Sequence, residues 1–215
     1  MAFTRNYTLR YRPLRAGVQV MNPIVGQPGT LGCFATGDGA DRWIVSCYHV
    51  LCRLHRSVFA PGEPICQPFD PAADAVAKVM LGDSALDCAA ALVDNGVVIE
   101  PRIVGMPRLA EPAAPMVGME VIKSGMATGV TEGLIVDVKP DDTVVIDLRT
   151  NYPRFTGGTA GYEFCAAGDS GALWVDPETL SPVAMHTGDL PAAGGLGCGV
   201  SFPTVLARLG LQFIQ

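Results

Sequence analysis

The chain has 215 residues, 49% of them apolar, with 15 Lys and Arg against 21 Asp and Glu for a formal net charge of −6. That composition excludes a disordered chain, and the length suffices to bury a core without metals or disulfides. An acidic balance with no basic cluster argues against nucleic acid as a partner. No uncharged apolar run reaches the roughly 18 residues of a membrane span, so no membrane partner is expected.

Gly (25) and Pro (17) are abundant, which suits many short strands and turns. The start, MAFTRNYTLRYRPLRAG, is positively charged but has no apolar segment behind it and does not read as a secretory signal. The seven cysteines stand at irregular spacing, and Cys47 and Cys52 have no second pair nearby. The expectation is a cytoplasmic protein with reduced thiols, no structural metal and no cofactor.

In chain order, strands are predicted over Gly29–Thr36, Trp43–Cys47, Ala75–Leu81 and Ala89–Val93. After them come Met119–Lys123, Gly133–Lys139, Thr143–Leu148, Ala172–Asp176 and Pro182–Thr187. Each is rich in β-branched or aliphatic residues and bounded by turn formers. Lys139-Pro140-Asp141-Asp142 reads as the turn of a hairpin. MPRLAEPAAP, from Met106 to Pro115, reads as a linker between two halves, placed at 14–105 and 116–215. One helix is predicted near the C-terminus: Pro203-Thr204 starts it, Val205, Leu206 and Leu209 form its apolar stripe, and Gly210 stops it. The fold class is all-β, in two barrel-like or sandwich-like halves.

Gly168-Asp169-Ser170-Gly171 is the most informative tetrapeptide. Flanking glycines permit a sharp turn that presents a serine beside converging N–H groups, as acyl transfer requires, although the same residues also serve as ordinary turn chemistry. The hydroxyl needs a base. His49 follows the strand Trp43–Cys47, whereas His55 lies in the basic, loop-like stretch Cys52–Arg56 and reads as surface. A base needs a carboxylate to fix its tautomer. Asp87 heads an otherwise apolar run, where an acid is costly to bury unless paired, unless it simply faces water at a strand start.

The order His49, Asp87, Ser170 resembles that of the chymotrypsin/trypsin-like serine proteases. Trp43-Ile44-Val45-Ser46-Cys47-Tyr48-His49 resembles their Trp-Val-Val-Ser-Ala-Ala-His, and Asp87–Leu92 their Asp-hydrophobic-Ala-Leu segment. The resemblance implies two antiparallel six-stranded β-barrels with a short C-terminal helix. It also implies a Ser170–His49–Asp87 triad, an oxyanion hole formed by the N–H groups of Gly168 and Ser170, and a protein or peptide substrate. Asp169 would be buried and paired. Because no Ile-Val-Gly-Gly activation sequence is present, an Arg or Lys must supply the partner, or the loop stays disordered until a ligand or partner arrives. The family's bridge from near Cys33 has no counterpart, since the partner position is Val50; a Cys165–Cys198 bridge is left open.

The segments around Arg12–Gly17, Gly29–Gly32, Lys123–Gly133 and Gly168–Trp174 are similar to signal-less trypsin-like proteases of the plant narrow-leaf type and their bacterial relatives. Some bacterial members act as effectors in immune operons, and from that likeness come an activating partner protein and a gasdermin-like substrate. His186, Thr187 and Gly188 fall where this fold builds a wall of its specificity pocket. An imidazole there can read Gln or Glu at the cleaved residue; Glu163 or Asp189 would instead favour Arg or Lys. The competing functional reading is a protease-fold peptide-binding module whose oxyanion loop is collapsed.

Overall fold

A computed structural model describes residues 6–52, 60–147, 164–190 and 195–215. Sixteen strands and two short helices lie among these residues. The first half carries β1 (Leu14–Ala16), β2 (Gln19–Met21), β3 (Pro28–Thr30), β4 (Cys33–Thr36), β5 (Trp43–Cys47), helix α1 (Tyr48–Leu51), β6 (Pro64–Cys66), β7 (Ala75–Asp83), β8 (Cys88–Val93) and β9 (Ile99–Ile103). The second carries β10 (Glu120–Gly125), β11 (Gly129–Val138), β12 (Thr143–Asp147), β13 (Leu173–Val175), β14 (Pro182–Asp189), β15 (Leu196–Ser201), helix α2 (Phe202–Leu209) and β16 (Gln212–Phe213).

The second half closes as a six-stranded barrel in the order β10-β11-β12-β15-β14-β13. The first forms a half-barrel of eight strands, β16-β4-β5-β8-β7-β6-β2-β3, beside the parallel pair β1-β9. Its outermost strand is β16 from the C-terminus, which pairs with β4 and ties the two halves together. The all-β architecture expected from the sequence is present, with the N-terminal barrel drawn as this half-barrel.

The predicted hairpin forms: Lys139 N–H donates to Thr143 O at 2.8 Å between β11 and β12. The predicted helix is α2, with Val205, Leu206 and Leu209 buried and Gly210 closing it at φ 66°. Residues 106–115 form no strand. They run along the second barrel, with Ala110 N–H donating to Leu180 O and Ala113 N–H to Pro182 O.

Two apolar cores result. The larger fills the first half and continues across the seam through Leu173, Val175, Met185, Val200 and Phe202. The smaller, inside the closed barrel, holds Val121, Ile135, Ile146, Phe164 and Trp174, the two rings packed edge-on at 5.6 Å. Among the described residues no helix is long and apolar enough to cross a membrane.

Candidate active site

Strand β5 is anchored on both sides, by β4 and by β8. His49 follows it within the first turn of α1, rather than at a strand end. Asp87 sits in the turn before β8 with a left-handed backbone, φ 49°. That turn aims the whole residue at α1: Tyr48 N–H donates to Asp87 O at 3.0 Å, and His49 N–H donates to Asp87 Oδ1 at 3.0 Å. The second carboxylate oxygen, Oδ2, lies 2.7 Å from His49 Nδ1. The charge at the head of the apolar run is therefore paired. This contact fixes the imidazole with Nδ1 protonated and leaves Nε2 as the acceptor.

The Ser170 loop is stitched to the opposite strand. Gly171 N–H donates to His186 O at 2.8 Å, and His186 N–H returns a bond to Ala172 O at 2.8 Å. The same His186 carbonyl accepts from Cys47 Sγ at 3.1 Å. One carbonyl thus clasps the residue after Ser170 and the residue two before His49, bringing both to one seam. Thr30 adds a second clasp: its N–H donates to Ser170 O, its hydroxyl donates to Gly168 O, and Met126 N–H donates to that hydroxyl. Gly171, at φ 96°, admits no side chain, because a Cβ would strike Ser46 Oγ and Thr30 O.

Ser170 Oγ is directed at Thr187 O, 3.5 Å away, and makes no hydrogen bond to His49 among the described residues. Base–nucleophile bonds are often long in unliganded sites and tighten around substrate. The N–H groups of Asp169, Gly171 and Ala172 are all bonded internally. Those of Gly168 and Ser170 have no acceptor among the described residues. Two free donors beside the hydroxyl can hold a developing oxyanion.

Asp169 and Lys123 are both fully buried, and Lys123 Nζ lies 3.1 Å from Asp169 Oδ2. Oδ2 also accepts from Thr128 Oγ1 at 2.6 Å and Ala166 N–H at 3.1 Å, while Oδ1 accepts from Ala127 N–H at 2.9 Å. Lys123 Nζ donates further to Thr128 Oγ1 and Gly129 O. The sequence left Arg and Lys open as the partner; the only local clue to Lys123 was a cation inside the apolar strand β10.

His186 is 2% exposed, set between Trp174 (ring centroids 5.9 Å apart) and Phe164 (6.5 Å). Burial, with the Lys123 charge behind it, pushes its pKa down to about 3, so the imidazole is neutral. Thr187 Oγ1 donates to Cys198 O at 3.2 Å, and Gly188 pairs with Cys198 across the sheet. All seven cysteines are free. Cys165 faces Asp189 and Cys198 faces Thr187, so no bridge joins the first and last. His55 and Glu163 lie outside the described residues.

A residue that motif reading passed over is Cys47. Its sulfur lies within 4.8 Å of both the His49 ring nitrogen and the Asp87 carboxylate. Burial, then the neighbouring Asp87 charge, raises its thiol pKa well above the ordinary range. It is a neutral donor behind the pair, not a rival nucleophile.

The architecture is the chymotrypsin-like serine-protease fold. No protein-family model and no curated protein matches the chain, but solved structures do. A glutamic acid-specific serine protease that uses a histidine triad in substrate binding superposes with a TM-score of 0.68 at 15% identity, over 94% of this chain and 100% of its own. Thermobifida fusca protease A gives 0.68 at 13% identity with the same coverage. An alpha-lytic protease homologue gives 0.64 at 19% identity, covering 93% of this chain and 98% of its own.

Proposed function

We propose that this protein is a serine endopeptidase in which Ser170 attacks a peptide carbonyl, His49 takes and returns the proton, and Asp87 holds the imidazole. The reaction follows the general serine-protease scheme through an acyl-enzyme, with the tetrahedral oxyanion held by Gly168 N–H and Ser170 N–H. The observation that carries this reading is the double grip of Asp87 on His49, at Nδ1 and at the backbone N–H. A carboxylate with one oxygen on the ring and the other on the backbone fixes both tautomer and direction.

The competing reading, a peptide-binding module with a collapsed oxyanion loop, has one observation on its side: Ser170 Oγ points to Thr187 O. Against it stands Asp169, whose carboxylate is anchored by Lys123, Thr128 and Ala127 and keeps the loop formed without a new N-terminus. Labelling by a fluorophosphonate probe, with Ser170→Ala as control, separates the two. Ser170-dependent labelling and hydrolysis support the peptidase; an unlabelled, folded protein overturns it.

His186, Thr187 and Gly188 form the wall that meets the substrate, with Gln or Glu at the cleaved residue. The glutamic acid-specific neighbour binds substrate with a histidine triad. This chain has three histidines in all, His49, His55 and His186. With His49 as base, three cannot gather around a substrate carboxylate. Instead the Asp189 carboxylate lies within 4.8 Å of a His186 ring nitrogen. A glutamate would meet like charge there. A glutamine can accept from the imidazole through its carbonyl and donate its amide N–H to Asp189, so the preferred residue is Gln ahead of Glu. An activatable role in bacterial immunity, with an activating partner and a gasdermin-like substrate, rests on the sequence resemblance alone.

A further inference from the structure

Spacing along the chain gave no metal-ligand pattern, yet folding gathers one beside the specificity wall. Cys165, from the loop before Ser170, meets His186 and Asp189, both from β14. A thiol sulfur, a ring nitrogen and a carboxylate oxygen lie within 4.8 Å of one another. Cys165 Sγ and Asp189 Oδ1 are 3.5 Å apart. Two ligands at about 2.3 and 2.0 Å from a tetrahedral zinc stand about 3.5 Å from each other.

His186 supplies the second, independent observation. It is almost fully buried and its side chain makes no hydrogen bond among the described residues; Nδ1 is enclosed without a partner, and one of the two ring nitrogens is the atom that meets Cys165 and Asp189. A buried, unpaired polar group in a native fold calls for an occupant. Its neutral ring offers a lone pair, the form a metal takes. The other convergence of donors, Cys47, His49 and Asp87, is already committed, with His49 Nδ1 on Asp87 and Cys47 on the His186 carbonyl. Asp189 is exposed and gives an ion its way in.

We propose that Cys165, His186 and Asp189 form a binding site for a Zn²⁺-class divalent ion that closes the specificity pocket and reversibly inhibits the peptidase. Sulfur and imidazole donors select zinc-like ions over Mg²⁺ or Ca²⁺. As the Zn–S bond forms, the thiol proton leaves to solvent; no electron is transferred. Three protein ligands leave the fourth position to water. The bound ion occupies the ring nitrogen and carboxylate that the substrate side chain needs. It sits on the strand whose His186 and Thr187 carbonyls face Gly171 and Ser170. The inhibitory half of this proposal rests on the peptidase reading; the binding half does not.

The test is titration of the reduced full-length protein with Co²⁺, then displacement by Zn²⁺. The expected result is a near-ultraviolet thiolate-to-cobalt band saturating at one ion per chain. The band is kept in Cys47→Ser, lost in both Cys165→Ser and Cys165→Ala, and weakened by more than about tenfold in affinity in Asp189→Asn. Unfolding midpoints of the variants confirm that they are folded. Zn²⁺ should suppress Ser170 labelling and hydrolysis over the same concentration range, judged against each variant's own metal-free rate. No band, or a band that survives in folded Cys165→Ser, overturns the site. A band lost only in Cys47→Ser places the ion at the Asp87–His49 pair and also overturns it. Binding that leaves an active enzyme uninhibited overturns the regulatory half. A band in a protein with no Ser170-dependent hydrolysis sinks the peptidase reading while upholding the ion site.

Discussion

Lys123 Nζ and Asp169 Oδ2 meet at 3.1 Å with neither side chain reaching solvent, one residue from the proposed nucleophile. Asp169 lies between Gly168 and Ser170, so the position of its carboxylate sets the direction of both N–H groups assigned to the oxyanion. Removing one member of a buried ion pair leaves an uncompensated charge and costs about 3–5 kcal/mol. Lys123→Met should lower the unfolding free energy by that scale. It should also abolish fluorophosphonate labelling at temperatures where the protein is still folded. Calorimetry with labelling of the same samples checks both. Labelling at the wild-type rate in Lys123→Met would show that the pair does not shape the loop.

The same pair has an acid limit. Burial by itself raises the Asp169 pKa, but the Lys123 charge, the Thr128 hydroxyl and the Ala127 N–H together hold it below its ordinary 3.8. Lys123 faces it as a cation, and Cys165 nearby is a neutral thiol raised by burial. With a folded value below the unfolded one, the contribution is fully present above about pH 4 and is lost as the pH falls through the folded value. The unfolding midpoint should therefore fall as the pH drops below about 4. Asp169→Asn should begin lower and show a shallower acid limb. Parallel limbs in the two proteins would contradict this assignment.

Gly125 is a steric test of the same carboxylate. It is fully buried on β10, and a Cβ there would lie 2.8 Å from Asp169 Cγ and closer still to Oδ1. Neither the paired carboxylate nor the β10–β11 ladder has room to yield. Gly125→Ala should destabilise by about 1–3 kcal/mol, the usual cost of overpacking. Labelling of Ser170 should fall with it, read on folded protein.

Much of this was legible locally. Trp43–Cys47 matched its strand at both ends, because a short, nearly all-apolar run buried on both faces reads as a central strand. Gly210 ended α2 because a left-handed residue is cheapest as glycine. The strand over Gly29–Thr36 instead breaks into β3 and β4, since Leu31 and Gly32 turn to bond Val18 and Val45. Strand β15, Leu-Gly-Cys-Gly-Val-Ser, was missed because glycine carries no β signal; β12 and β14 on either side impose its extension. At the site, motif order pointed to His49, Asp87 and Ser170, and the fold brings the first two into contact. Motif order could not choose Lys123 for Asp169, nor join Cys165 to His186 and Asp189, because those pairings are made by barrel closure and not by spacing.

The Asp87–His49 contact makes a kinetic prediction. Asp87→Asn keeps the shape but places an amide where a carboxylate held Nδ1–H, so the ring can settle in the wrong tautomer. In Ser–His–Asp enzymes generally that exchange lowers kcat by about 10⁴. The expected result here is a fall of that order in kcat with KM little changed, measured in steady state on a peptide ester. A loss of less than about tenfold would mean that Asp87 serves α1 packing and not the reaction.

The proposed Gln preference makes Asp189 the residue that should decide between two substrates differing in one heavy atom. Its carboxylate lies 3.5 Å from Cys165 Sγ and within 4.8 Å of a His186 ring nitrogen, so it faces the same small space. His186 is neutral and gives a hydrogen bond without a charge, which leaves Asp189 as the charge nearest the substrate side chain. Asp189→Asn removes the charge and leaves a neutral amide, donor and acceptor both, so the discrimination against Glu should relax. A peptide pair identical except for Gln or Glu at the cleaved residue should show higher kcat/KM for Gln with the wild type. In Asp189→Asn the ratio should move toward Glu by about tenfold, the scale of one unit charge interaction of about 1.4 kcal/mol at a partly solvated site. The metal-free enzyme must be used, since an ion on Cys165 and His186 would mask the effect. A wild type that prefers Arg or Lys, with the preference lost in Asp189→Asn, would assign Asp189 to a basic substrate and remove His186 from recognition.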